Sequence, residues 1–179
     1  MKKKLTVFLV TLSMIAALGL VGCGGGNNPV QNVVDDASNA VSQLLEGDVT
    51  GQVGKEYATK WFKFTINSLE TASSFAGYNA ADGNTLVIAN ITITNTFGST
   101  QPFGTFDWFV DDDSLAEYLW PMAPLNDTMM PESFDLPDGQ TVTYTVVVEI
   151  PANLANPYFM YTEVDSEGNS FTTFRVPIK

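Results

Sequence analysis

The chain has 179 residues, 20 acidic against eight basic side chains, no histidine, one cysteine and a formal net charge of −12. One cysteine cannot close an internal disulfide or build a cysteine metal cluster. Without histidine, zinc sites, haem ligation by imidazole and His-dependent triads are excluded or strongly disfavoured. An acidic surface also repels phosphate backbones and anionic headgroups, which argues against nucleic-acid binding.

The first predicted element is an export signal. Lys2, Lys3 and Lys4 form a positive start, Leu5 to Leu20 is an almost unbroken apolar run, and Leu20-Val21-Gly22-Cys23 places small residues before the cysteine. That order reads as a secretory signal over 1–22, and an uncleaved anchor would usually run to about 20 apolar residues. The Leu20–Cys23 motif resembles the lipobox of bacterial lipoproteins, in which the cysteine takes a thioether-linked diacylglycerol before cleavage ahead of it. The resemblance implies lipidation at Cys23, attachment to the membrane through that lipid, and exposure on the outside of the cell. Cleavage there would leave five basic and 20 acidic residues, a net charge of −15. Solubility alone would account for so acidic an exported surface.

Residues 23–50 read as a tether. Gly24-Gly25-Gly26-Asn27-Asn28-Pro29 is a flexible spacer. Val30, Val33, Val34, Ala37, Val41, Leu44 and Leu45 then recur at helical steps, with Asp35 and Asp36 in the first turn and Gly47 as a stop signal. This predicts a marginal amphipathic helix over 30–46. Its polar face carries no Lys or Arg, unlike helices that lie on membranes.

From 51 to 179 the period falls to two. Phe62, Phe64 and Ile66 alternate with Lys63, Thr65 and Asn67, and Val87, Ala89, Ile91 and Ile93 with Ile88, Asn90, Thr92 and Thr94. Phe106, Trp108 and Val110 continue the pattern. Val142, Tyr144, Val146, Val148 and Ile150 are set against Thr141, Thr143, Thr145, Val147 and Glu149. Such segments are half-buried antiparallel strands, one face toward a core and one toward water. Asp82-Gly83-Asn84, Gly98-Ser99, Pro137-Asp138-Gly139 and Glu167-Gly168-Asn169 supply turns between them. Pro177 suggests an edge strand, and the slip in parity from Phe171 to Phe174 suggests a bulge. The expected fold is all-β, an antiparallel β-sandwich of about seven or eight strands. About 130 residues are enough for one such core without disulfides.

A family resemblance points the same way. Gly54-Lys55-Glu56-Tyr57, Trp61 to Ser68, Gly83-Asn84-Thr85-Leu86-Val87-Ile88 and Ile93-Thr94-Asn95-Thr96 come first. Leu136-Pro137-Asp138-Gly139-Gln140-Thr141-Val142 and Val146 to Pro151 follow. In this order they resemble the immunoglobulin-like domain of unknown function found in lipoproteins of Gram-positive bacteria, which is similar in fold to a secreted mycobacterial immunoprotective antigen. The resemblance covers about 51–179 and implies an immunoglobulin-like sandwich in the cell envelope, with no established activity. Between Asp111 and Glu132 the chain departs from the family pattern. A short Asp-x-x-Gly hairpin and a Tyr are usual there; Asp111-Asp112-Asp113-Ser114-Leu115-Ala116-Glu117-Tyr118 and a Met- and Pro-rich stretch replace them.

Candidate sites fall mostly in that divergent stretch. Asp111, Asp113 and Glu117 are the candidate ligands for a weak calcium site, since hard carboxylate oxygens suit calcium. The loop lacks the spacing of a helix–loop–helix calcium site, and three adjacent aspartates cannot all face one ion, so a solvated turn is the stronger reading. Phe109, Tyr118 and Trp120 are candidates for an aromatic surface that could stack on a sugar or a protein, while Phe106 and Trp108 are expected to fill the core. Met122, Met129 and Met130 read as gap-filling residues of a long connection, or as the lining of an adaptable groove. Ser73, Ser74 and Ser99 have no histidine to activate them, Lys60 and Lys63 form no Ser-Lys motif, and paired carboxylates carry no signal among 20 acids. The expectation is therefore a non-catalytic binding or interaction domain with no cofactor, whose partner is a protein or a cell-wall glycan. A carbohydrate module is the main alternative and a hydrolase the lesser one.

Overall fold

The structure, a computed structural model, describes residues 47–164 and 170–179. The signal segment 1–22, Cys23, the tether as far as residue 46 with its 30–46 helix, and the Glu167-Gly168-Asn169 turn lie outside the described residues.

Twelve strands and one 3₁₀ turn follow in chain order: β1 (Gly47–Thr50), β2 (Glu56–Ala58), β3 (Phe62–Ala72), β4 (Ser74–Phe75), β5 (Tyr78–Asn79), β6 (Asn84–Asn95), β7 (Gln101–Phe103), the turn Thr105–Asp107, β8 (Trp108–Asp111), β9 (Phe134–Leu136), β10 (Thr141–Pro151), β11 (Tyr158–Val164) and β12 (Ser170–Pro177). Eight of them make two four-stranded sheets, ordered β1-β12-β11-β8 and β10-β6-β3-β2. Small ladders β4–β5 and β7–β9 complete an immunoglobulin-like β-sandwich.

The core is where period two sends the apolar residues. Phe62, Phe64, Ile66, Val87, Ala89, Ile91, Ile93, Val146, Val148 and Ile150 are buried from one sheet, and Trp108, Val110, Phe159, Tyr161, Phe174 and Val176 from the other. Phe64 sits among Tyr57, Phe62, Trp108, Tyr161 and Phe174, with ring centroids 5.2–5.9 Å apart and mostly tilted or edge-on. Full burial of such a ring contributes roughly 1.5–3 kcal/mol, and each favourable ring pair about 0.5–1.5 kcal/mol more. A register shift at Ile66/Ser68 leaves Asn67 as the extra residue of a bulge in β3. Asn67 Nδ2 donates to Asn90 Oδ1 and Thr92 Oγ1, and the changed parity turns Leu69 toward the core.

Four expectations are corrected or extended. Gly47–Thr50, placed in the tether, forms β1 and pairs in parallel with β12 from Gly47↔Thr172 to Thr50↔Arg175. β12 is consequently an inner strand and not an edge; Pro177 sits beyond the last β1 pair, where its missing N–H costs no ladder bond. The bulge expected near Phe171 is present, since Glu163 pairs with Thr172 but Val164 with Ser170. Lastly, the outer face of β6 and β10 is not simply wet. Leu86, Ile88, Val147 and Met129 form a second buried cluster beneath the β4–β5 hairpin and Met122. That hairpin turns through Ala76 and Gly77, both at positive φ (48° and 85°), the backbone a two-residue turn needs between twisted strands.

The long connection 112–133 also covers sheet edges. Leu119 exchanges both backbone hydrogen bonds with Val110 at 2.8 Å, closing the open side of β8. Thr145 N–H donates to Thr128 O, Met130 N–H to Thr145 O and Met122 N–H to Val147 O, each at 2.9 Å, along the open side of β10. Unpaired edges are sites of unwanted strand addition.

Candidate functional site

Alternation along β8 decides where the candidate residues go. Val110 points into the core at 0% exposure, so Phe109 and Asp111 lie on the outer face of the β8 sheet. The Val110–Leu119 bridge repeats the logic: Leu119 packs on the core, and its neighbours Tyr118 and Trp120 are thrown to the same outer face as Phe109. Ring centroids are 4.5 Å apart for Phe109–Tyr118, 5.5 Å for Phe109–Trp120 and 6.2 Å for Tyr118–Trp120. Tyr118 and Trp120 are 50% and 53% exposed, whereas Phe109 is 6% exposed beneath them. Phe109 is therefore a floor, and the two exposed rings, at 80° to each other, are walls.

Tyr118, Trp120 and the three acidic candidates converge on one depression, while Phe109 is buried beneath the two rings. An open cleft of about 670 Å³ is lined by Asp111, Asp113, Leu115, Ala116, Glu117, Tyr118 and Trp120. Leu115 and Ala116 carried no individual signal in the sequence; their place in the cleft follows from the loop path. Asp112 sets that path. It is turned inward, its Oδ1 accepting from Ser114 N and Oγ and its Oδ2 accepting from Asn156 N at 2.7 Å. The Ser114 and Asn156 donors hold its carboxyl below the ordinary carboxylate range. Asp112 thus ties the cleft loop to the β10–β11 connection, leaving Asp111 and Asp113 on either side.

The three candidate calcium ligands line the cleft but are not equivalent. Asp113 Oδ1 lies 3.2 Å from Arg175 Nη1, and Arg175 Nε lies 3.4 Å from Asp48 Oδ2. Arg175 also lies over the Tyr158 ring, 5.9 Å from its centroid. Among the described residues, no Lys or Arg forms an ion pair with Asp111 or Glu117. Nor is any group of three or more His, Cys, Asp or Glu side chains placed to hold a metal ion.

The other candidates separate. Trp108 is buried as expected, but Phe106 is 47% exposed. The 3₁₀ turn over Thr105–Asp107 breaks the two-residue period just before β8 and rotates Phe106 outward. Met129 and Met130 are buried, Met129 in the second cluster and Met130 in the main core, which is the gap-filling role. Two acids escaped notice because neither burial nor long-range hydrogen bonding is visible in sequence. Glu163 is buried, accepting Lys60 N–H at 2.6 Å, and burial raises its carboxyl. Glu149 accepts from Tyr78 Oη, Asn84 Nδ2 and Ala81 N, which hold its carboxyl down.

With this geometry in place, comparison with solved structures is informative about the fold. A candidate lipoprotein of Bacillus subtilis, ycdA, aligns with a TM-score of 0.55 at 12% identity, over 70% of this chain and 39% of its own. The present chain thus spans well under half the length of that protein. MPT63, a secreted protein of Mycobacterium tuberculosis, aligns with a TM-score of 0.53 at 9% identity, over 72% of this chain and 98% of its own. A functionally unknown protein of Listeria monocytogenes gives 0.52 at 14% identity, over 70% and 83%. The chain shares their β-sandwich. No family model and no curated protein matches the sequence. Among the described residues, no helix is long and apolar enough to cross a membrane.

Proposed function

We propose that this protein is an extracellular lipoprotein, held to the cell membrane by a lipid on Cys23, whose immunoglobulin-like domain is a binding module without chemistry of its own. The cleft lined by Tyr118 and Trp120, with Phe109 buried beneath them, is its ligand site. One observation carries the reading: two large aromatic rings stand half exposed, side by side, in a recess of a sheet whose edge the same loop has closed. Exposed aromatic area grouped in a recess is the usual mark of a binding surface. The alternative ligand is a carbohydrate or cell-wall glycan, favoured by the half-exposed rings of Tyr118 and Trp120. A hydrolase is the weakest reading, because no serine has a histidine to activate it and paired carboxylates carry no signal among 20 acidic residues.

Two measurements test this proposal on the full chain. In cells, the chain should label with fatty acid and fractionate with membranes, and Cys23→Ser should lose the label; a Cys23→Ser chain that still labels refutes the anchor. In nonionic detergent, the purified lipoprotein should bind isolated envelope material, and Trp120→Ala should lower that binding severalfold without changing the melting temperature. Binding indifferent to Trp120→Ala and Tyr118→Ala would place the site elsewhere.

A further inference from the structure

Resting on the cleft as the ligand site, we infer that its occupant is a cationic side chain, a lysine ammonium or arginine guanidinium, presented by a basic polypeptide. Three independent features lead there.

The first is the rim. Asp111 and Glu117 line the cleft and pair with no Lys or Arg among the described residues. No basic residue occurs from Phe64 to Phe174, and Arg175, which reaches the cleft edge, pairs with Asp113 and Asp48 and not with Asp111 or Glu117. A cleft lined by one sign of charge concentrates ligands of the other. The same field disfavours anionic glycans and phosphate-bearing ligands.

The second is the arrangement of the rings. Tyr118 and Trp120 both line the recess, their planes 80° apart, and both are about half exposed over the buried Phe109. Ring faces carry negative electrostatic potential, and a cation within about 6 Å of a centroid is attracted to it. A neutral sugar would stack on the rings and donate hydroxyl hydrogen bonds to the carboxylates, but only a cation also gains the attraction of their charge.

The third is a working example beside the cleft. Arg175, of the same chain, lies between the carboxylates of Asp48 and Asp113 with the Tyr158 ring at 5.9 Å. Asp113 lines the cleft as well. The outer face of this sheet already holds one guanidinium between acids and an aromatic ring, and the adjoining cleft offers a second place of similar chemistry, unfilled by any basic side chain among the described residues. The recess is also open and shallow, which suits a side chain reaching in from an extended strand of polypeptide better than a small molecule that must be enclosed.

The test is calorimetric titration of the full-length lipoprotein in nonionic detergent at low salt. The probes are hexalysine, hexa-arginine and the neutral hexamer of N-acetylglucosamine. Both peptides should bind the wild-type chain. Trp120→Ala and Glu117→Gln should each weaken them about tenfold, as expected for loss of a ring face or a rim charge. Glu70→Gln, on exposed β3 in the other sheet, should change affinity less than twofold. Absence of peptide binding, or equal weakening by Glu70→Gln, overturns the inference. Saccharide binding that Trp120→Ala abolishes, with no peptide binding, overturns the cationic ligand but leaves the cleft as the site. Peptide or saccharide binding indifferent to Trp120→Ala, Tyr118→Ala and Glu117→Gln overturns both.

Discussion

Asn95 shows how much one side chain can organise. It is fully buried at the end of β6; its Nδ2 donates to Ser99 O and Leu136 O, and its Oδ1 accepts Phe97 N–H. Three backbone groups from two turns depend on it. Asn95→Ala leaves Leu136 O unpaired in the interior, where it costs on the order of 1 kcal/mol or more. It also frees two groups of the exposed 96–100 turn to water, so a loss of about 1–3 kcal/mol is expected in denaturant titration. Glu163 gives a pH-dependent counterpart. Burial raises its carboxyl above the unfolded value, so its protonated form fits the fold better. Its contribution is present at acid pH and fades as pH rises through the raised folded pKa. Glu163→Gln keeps an acceptor for Lys60 N–H without the charge. Its melting temperature should exceed that of the wild type at pH 8 and approach it near pH 4; an advantage that is the same at both pH values would rule out ionisation as the cause. Asn95 was visible in sequence as the end of an Ile-Thr run, but its bonds to Ser99 and Leu136 were not, because they depend on where β9 comes to rest. Glu163 gave no sign at all: alternation can place a residue on a face, but it cannot report that the face is covered.

Elements were legible in proportion to the regularity of their period. β3, β6 and β10 could be read from alternation, since half-buried strands expose that period directly. The failures have local causes. Phe106 was assigned inward because the period was extended through a 3₁₀ turn, and Ile88 and Val147 were assigned to a wet face because the β4–β5 hairpin and the 122–129 segment that cover it are remote in sequence. The Met-rich segment is therefore structural twice over, donating backbone bonds to the edge of β10 and filling gaps beneath it. Met130, 1% exposed in the main core, should cost about 2–5 kcal/mol when replaced by Ala. Met122, only partly buried, should cost less than about 1 kcal/mol. Equal losses at the two positions would mean that the segment packs differently from this arrangement. Amide exchange at Thr145 should be slow for an edge strand, since its N–H donates to Thr128 O.

At the scale of the whole molecule, acidity and the absence of histidine set the terms. A loop with Asp111, Asp112 and Asp113 invites a calcium reading, yet Asp112 is turned inward by Ser114 and Asn156, and Asp113 pairs with Arg175. Excess calcium should accordingly leave the melting temperature unchanged; a saturable rise would restore Asp111, Asp113 and Glu117 as ligands. By itself, the sequence determined the all-β class, the inward residues of the regular strands, the expectation of a lipid on Cys23 and the acidity of the chain. Composition and two-residue period are local properties, and each can be read without knowing what lies opposite. Only the tertiary structure decided that β1 joins β12, that Phe109 lies under Tyr118 and Trp120, and that those two exposed rings share a recess with the acidic candidates. Those relations arise from a loop folding back on a strand through the Val110–Leu119 bridge and the inward carboxylate of Asp112. Contacts of that kind are chosen by the packing of distant residues, which no local pattern encodes.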